Sequence, residues 1–405
     1  GRPLPGSIFG LDITGVDVEE AGLLWEDGDK DRVLWPVPGT LTRAPWRKTP
    51  GGIVLMTAHE RDRTPFHTDP RQALKRIVDR FADLNLTPVA AIELEFFLVD
   101  RASAQGGRPT PPTSPEGWPQ THLQACSLDD LSDFTPVLDD IYAGAEIMGL
   151  PARTLIAEYA PGQLEIVLKH RADAMRAADD AILFKRLVKG MAEKHGYAAT
   201  FMAKPFAEHT GSGMHVHASL ADTDGTNIFA GDEPVPTGPL LHAIGGQLAT
   251  MRESMAIFAP NANSWRRFRP GSYAPVGPGW AIDNRTVPLR VTAGKPETRH
   301  FEHRVGGADA NPYLALATVL AGVHKGLSEK TDPCAPITGN GYEQIEPDFP
   351  KGWAAAIEEA ANSAFLADYL GADFMAVFSA IKRAEADRFN ALVSDIDHAW
   401  YLRMA

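Results

Sequence analysis

Cysteine is almost missing from this chain of 405 residues: Cys126 and Cys334 stand far apart and cannot form a disulfide framework or a thiolate metal cluster. Positive charge is also short, and the formal net charge of −13 argues against a general nucleic-acid binder. No apolar run approaches the ~20 residues of a membrane span, and no signal peptide stands at the start. Neither Gly-x-x-x-x-Gly-Lys-Ser/Thr nor Gly-x-Gly-x-x-Gly before a helix occurs, so P-loop and Rossmann readings lack support. No Ser or Cys nucleophile signature stands out. What remains is ordinary globular composition, 44% hydrophobic and 22% charged. The class expected is a cytoplasmic enzyme or binding protein with no membrane and no nucleic-acid partner. The chain opens at Gly1 in structured-looking sequence, so a missing N-terminal segment is expected.

Residues 1–65 are rich in Gly, Pro and Trp, with short strand-like pieces between turns, and read as a small β-rich domain. Asp69-Pro70 sets an N-cap and first-turn proline for a helix to about Leu84. A strand is expected over 87–99, a Pro/Gly-rich loop over 100–120, and a helix from the Ser127 cap to about Leu150. Strand and turn follow over 151–170, then a helix over 173–195. Further strands are expected at 199–205, 212–220, 285–292 and 299–305. Helices are expected at 237–258 and from Pro312, with short helices over the last 65 residues. Strands lying close in sequence without helices between them point to hairpins, a largely antiparallel sheet and the α+β class.

The polar residues of these strands follow a pattern. In Ala91–Asp100 (AIELEFFLVD), Glu93 and Glu95 are two apart, so a strand puts both on one face amid apolar neighbours. Buried like charges are costly unless something cationic meets them. The same spacing recurs in His215-x-His217 and Glu302-x-Arg304, while Glu158 and Glu165 flank the turn Ala160-Pro-Gly-Gln163. Gly211-Ser-Gly213 lets backbone amides approach a ligand. If these strands adjoin, five carboxylates and two imidazoles share a face, a donor set suited to Mg²⁺ or Mn²⁺ more than to zinc. Arg266, Arg267, Arg269, Arg285, Arg290, Arg299 and Arg304 lie in the same half and can dock carboxylate or phosphate. Acidic metal ligands beside an arginine bank describe phosphoryl transfer. The plainer reading of each group alone is a surface salt bridge or a packed core histidine.

Six stretches together, ELEFF (93–97), EYAPGQLE (158–165), GSGMHVHASL (211–220), NANSWRRFRPG (261–271), DNRTVPLR (283–290) and EHRVGGADANPY (302–313), resemble the glutamine synthetase superfamily in order along nearly the whole chain. The resemblance implies an N-terminal β-grasp domain (1–65, truncated at its start) and a catalytic domain (66–405) whose antiparallel active-site β-barrel is surrounded by helices. It implies a homo-oligomer, often a dodecamer, with sites shared between subunits. By the same resemblance Glu95, Glu158 and Glu165 ligate one Mg²⁺ or Mn²⁺, and Glu93, His215 and Glu302 a second beside ATP. His217, Ser219 and Arg290 face the nucleotide. Arg267, Arg304 and Gly211 belong to the glutamate side, and Arg285 faces the transferred phosphate. Asp12 is lent to the adjacent subunit's amine site. The implied reaction activates the glutamate side-chain carboxylate with ATP as γ-glutamyl phosphate, which an amine then converts to an amide. In that second step a carboxylate such as Glu158 or Asp12 serves the amine.

One stretch departs from the ammonia-using pattern. Pro270-Gly-Ser-Tyr-Ala-Pro275 carries Tyr273 where a flap glutamate is usual, and Thr210 replaces an asparagine. A neutral aromatic face suits an alkylamine better than ammonium. With DITGVDVEEAG, AEKHGYAATFMAKPFAEHTGSGMH and GADANPYLA, the chain most resembles the γ-glutamylputrescine synthetase branch. Putrescine or another polyamine is therefore the expected amine, with Tyr273 and Trp280 as pocket walls. Alternatives are a ligase for ammonia, ethanolamine or methylamine, a non-catalytic family member, and a creatine-kinase-like guanidino phosphotransferase, whose motifs fit less well.

Overall fold

The computed structural model describes residues 1–231 and 236–405. Strands β1 (Arg2–Pro5), β2 (Asp31–Pro36) and β5 (Met56–His59) form an antiparallel three-stranded sheet, and β3 (Thr42–Arg43) and β4 (Gly52–Ile53) a short hairpin. The N-terminal unit has its own core of Val18, Ala21, Leu23, Ala58 and Phe66. Val377 of the C-terminal helices completes that core, so the unit is docked rather than tethered.

Eight strands make the main sheet: β6 (Thr87–Asp100), β7 (Ala152–Ala157), β8 (Gln163–Leu168), β9 (Tyr197–Thr200), β10 (Met214–Ala221), β11 (Trp280–Ile282), β12 (Leu289–Val291) and β13 (Phe301–His303). The order is β11-β12-β13-β10-β6-β8-β7, with β9 on the far end of β6; only β11 and β12 pair in parallel. Among the described residues the path stays open, its two end strands unpaired with each other. The expected antiparallel core is thus present as a ladder.

Helices α1 (Pro70–Arg80), α2 (Arg101–Gln105), α3 (Leu128–Asp133), α4 (Thr135–Met148), α5 (Ala174–Lys194), α6 (Gly238–Thr250), α7 (Met255–Phe258) and α8 (Pro312–Glu329) surround this sheet. Beyond them lie α9 (Gly341–Gln344), α10 (Trp353–Ala361), α11 (Ala364–Leu370), α12 (Ala372–Asn390) and α13 (Asp395–Tyr401). Asp69 caps α1 by accepting from Arg71 N at 2.8 Å, with Pro70 in the first turn as its sequence requires. Ile92, Leu94, Phe96 and Leu98 all enter the main core, which leaves the other face of β6 to its glutamates. Among the described residues no single helix is long and apolar enough to cross a membrane.

Several expected boundaries move. The helix expected from Ser127 to Leu150 breaks at Phe134, because Pro136 has no amide hydrogen for the ladder and disfavours helix just before it. The helix expected over 237–258 is interrupted between α6 and α7. The strand expected over 285–292 shrinks to β12, since Asn284 accepts from Thr286 N at 2.9 Å and holds the chain in a turn. The expected strand over 199–205 ends at Thr200, and α12 is longer than the short C-terminal helices anticipated.

Candidate active site

Register alone assembles the site. Glu93 lies opposite His215 across β6 and β10, and Glu95 opposite Glu165 across β6 and β8. His217 lies opposite Glu302 across β10 and β13, and Glu302 opposite Arg290 across β13 and β12. Directly paired residues point to the same side, so five strands deliver these seven groups to one face.

Two trios follow. Ligand atoms of Glu93, His215 and Glu302 lie within 4.8 Å of one another, as do those of Glu93, Glu95 and Glu165. His215 Nδ1 is 2.5 Å from Glu93 Oε1 and 3.2 Å from Glu302 Oε1. Glu302 is wholly buried; it accepts from Arg304 Nη1 at 2.6 Å and from Arg290 Nε. Glu95 accepts from the Gly213 amide at 2.8 Å. A Cβ on Gly213 would stand 2.8 Å from His215 Nε2, and one on Gly211 2.5 Å from the Ala203 carbonyl, so both positions need glycine for close approach.

The electrostatics divide the cluster. Burial works against charge on Glu93, but His215 and His217 hold it well below the usual carboxylate range, and His215 and Arg304 do the same for Glu302. Burial and Arg304 oppose charge on His215, yet Glu93 and Glu302 raise it to about 9. Burial, then the charges of Glu93 and Glu95, push Glu165 up to about 10. Burial, then Glu95, push Glu158 up to about 7. Carboxylates so placed ionise together only with added positive charge, and one imidazole with several carboxylates is a donor set for a hard divalent cation. The residues therefore fit two Mg²⁺- or Mn²⁺-type ions.

A cavity of about 370 Å³ opens over this face. Glu158, Gly211, Arg267, Arg285, Arg290, Arg304 and Tyr273 line it with the carboxylates, although Glu158 joins neither trio. Arg267 is buried and donates to the carbonyls of Val305 and Arg304 at 2.9 and 3.1 Å, which fixes its guanidinium at the cavity wall. Ser219 is buried one pair further along β10, on the face of His215 and His217.

Two residues expected at the amine lie elsewhere within one chain. Trp280 is buried in the main core, its indole N–H donating to the Cys334 carbonyl at 2.7 Å, and does not reach the cavity. Asp12 lines a separate cavity of about 490 Å³, with its carboxylate 2.6 Å from Arg388. Sequence reasoning missed Tyr159, whose ring stacks on Tyr273 at 6.0 Å and 20° at the cavity wall. Its place beside Glu158 in the EYAPGQLE stretch was the available signal. Gln163 was also missed; it donates to the Gly211 carbonyl at 3.0 Å and accepts from Thr210 Oγ1 at 2.5 Å, bracing the glycine loop. His170 and His300, next to His217, were also missed; His170 carried no spacing signal, whereas His300 stands two residues before Glu302 in the same alternation.

Comparisons with known proteins agree with this geometry. The family model for the glutamine synthetase catalytic domain matches residues 67–401. The chain is 41% identical to the γ-glutamylputrescine synthetase PuuA of Escherichia coli (strain K12), over 100% of this chain and 86% of that protein. It is 33% identical to a glutamate–isopropylamine ligase of a Pseudomonas species, over 99% of this chain and 88% of that protein. A solved structure of GmaS in complex with ADP superposes with a TM-score of 0.82 at 28% identity, covering 92% of this chain and 86% of that one. The chain belongs to the glutamine synthetase family, whose members are ATP-dependent ligases of glutamate and an amine.

Proposed function

We propose that this protein joins the side-chain carboxylate of glutamate to putrescine or a related polyamine, with ATP converted to ADP and phosphate. The observation that carries the reading is the five-strand ladder of carboxylates and histidines beneath an arginine-lined cavity. The similarity to PuuA supports putrescine. Glu93, His215 and Glu302 would hold one Mg²⁺ or Mn²⁺, and Glu95, Glu158 and Glu165 the other. Such ions neutralise the oxygens of a transferring phosphoryl group. His217, Ser219 and Arg290 serve the nucleotide end. Arg267, Arg304 and the Gly211 backbone hold glutamate, and Arg285 stabilises charge on the moving phosphoryl group. The glutamate carboxylate attacks the terminal phosphorus of ATP, and ADP leaves. The amine then attacks the acyl phosphate, forming the C–N bond, and phosphate leaves.

The amine must be neutral to attack. Asp12 of a neighbouring subunit would take up its proton and, with the Glu158 carboxylate, complete the amine site. Tyr273 and Tyr159 present an aromatic wall that packs against an alkyl chain. The N-terminal sheet would be a β-grasp domain, the assembly a dodecamer, and the location cytoplasmic.

Phosphate release measured with ammonium, putrescine, spermidine, ethanolamine, methylamine and isopropylamine tests the reading. A diamine is expected to give the highest kcat/KM. Faster turnover with ammonium than with every alkylamine overturns it. A monoamine ligase is the second reading, favoured by the 33% identity to the isopropylamine ligase; isopropylamine exceeding putrescine in the same assay would select it.

A further inference from the structure

Three imidazoles meet beside the nucleotide end of the ladder. His170 follows β8, His217 is on β10, and His300 precedes β13. Their ring centres are 4.8 Å apart for His170 and His300, 5.2 Å for His217 and His300, and 5.8 Å for His170 and His217. One nitrogen from each lies within 4.8 Å of the other two.

The partners of the outer nitrogens fix the tautomers. His300 Nδ1 is 2.8 Å from the Thr298 carbonyl, which can only accept, so Nδ1 carries the hydrogen. His217 Nε2 is 3.3 Å from the carboxylate oxygen Glu93 Oε2, an acceptor, so this nitrogen donates as well. The inner nitrogens, His217 Nδ1 and His300 Nε2, are then both acceptors, yet they face each other at 3.1 Å. Two lone pairs at that distance repel unless positive charge lies between them. An imidazole whose far N–H is tied to a carbonyl or carboxylate is the usual arrangement of a metal-bound histidine. His170, exposed at the rim, supplies a third nitrogen.

We propose that His170, His217 and His300 form a third cation site, separate from the two carboxylate trios and suited to a borderline transition metal of the Zn²⁺ or Co²⁺ type. Three neutral imidazoles with an open fourth position match such ions and hold Mg²⁺ poorly. Given the reading of His217 as a nucleotide contact, filling this site withdraws that side chain from the phosphates and opposes ATP.

The test is Co²⁺ titration of the full-length protein in excess Mg²⁺, followed by visible absorption. Wild type is expected to take up one strongly absorbing, four-coordinate equivalent. His170→Phe and His300→Phe should each lose that equivalent, while Glu95→Gln keeps it. Because His170 is exposed, its substitution leaves the core untouched and guards against a folding artefact. Equal absorption by wild type and His170→Phe overturns the site and assigns the facing nitrogens a shared proton. The metal readout does not depend on activity, so it stands even if the amine assignment fails. In the wild type, Zn²⁺ should also raise the KM for ATP at least several-fold, and should not do so in His170→Phe. An unchanged KM with Co²⁺ still bound overturns the opposition to ATP.

Discussion

Glu302 shows how much one side chain can settle. Arg290, Arg304 and His215 meet its two buried oxygens, so its charge is compensated by three side chains. Glu302→Gln keeps the shape and removes the charge, depriving the buried Arg304 of its carboxylate while Arg290 keeps Asp283 at 3.1 Å. Amide formation should fall by about 10²-fold or more, with the far-UV circular dichroism unchanged. The protonation states yield a second prediction. Glu165, Glu158 and His215, at about 10, 7 and 9, carry protons at neutral pH to varying degrees and must release them to ligate a cation. Mg²⁺ or Mn²⁺ affinity should therefore climb as pH rises from 7 to 9. Calorimetric titrations at pH 7 in buffers of different ionisation enthalpy should register proton release, and identical heats would contradict it. Each of these folded values lies above its reference value. Their stabilising contribution to the metal-free protein is thus complete below the reference value and declines as pH rises through the folded values, the last of them about 10 for Glu165. At the proposed amine pocket, Tyr273→Glu places a carboxylate at the cavity wall. It should move the ratio of ammonium to putrescine kcat/KM toward ammonium by about tenfold or more.

At the scale of elements, the alternation of Glu93 and Glu95 with Ile92 and Leu94 made the face of β6 legible before its neighbours were known. The pairing order was not legible, because nothing local says that β10 sits between β6 and β13; the resemblance supplied that adjacency. The burial of Trp280 was not legible either: its short strand pairs with β12, and its indole is held by the Cys334 carbonyl, far from it in sequence. The break at Pro136 could have been read, since proline punctuates helices. His170 lies outside any periodic pattern, and although His300 extends the alternation of Glu302 and Arg304, only the folded register brings the two to His217. Glycine positions give the matching prediction. A Cβ on Gly246 of α6 would stand 2.1 Å from the Gly322 carbonyl of α8. Gly246→Ala should cost about 1–3 kcal/mol or more by forcing those helices apart. Thermal unfolding checks this; an unchanged Tm would show that the pair can separate freely.

At the scale of the whole molecule, Asp12 and the ladder occupy different cavities of one chain. Ile13 is 77% exposed beside Asp12, an apolar surface awkward for an isolated protomer. If Asp12 serves a neighbour, Asp12→Ala and Glu95→Ala variants, each inactive alone, should complement when their subunits are mixed and reassembled. Random mixing then pairs an intact ladder with an intact Asp12 at about a quarter of the sites. Mixed preparations no more active than the separate variants would place Asp12 outside the neighbour's chemistry.

Strand β6 also works as a ruler. Its pleat sets the interval between Glu93 and Glu95, and no hinge lies between them, so the spacing of the two carboxylates is graduated by covalent geometry. The aromatic wall has no share in that scale. Tyr273 sits in an irregular loop at φ 57°, and Tyr159 in the turn before β8. Exchanging this wall for another can alter which amine is accepted without rewriting the measure along which phosphate is moved. One backbone can in this way serve a whole series of nucleophiles.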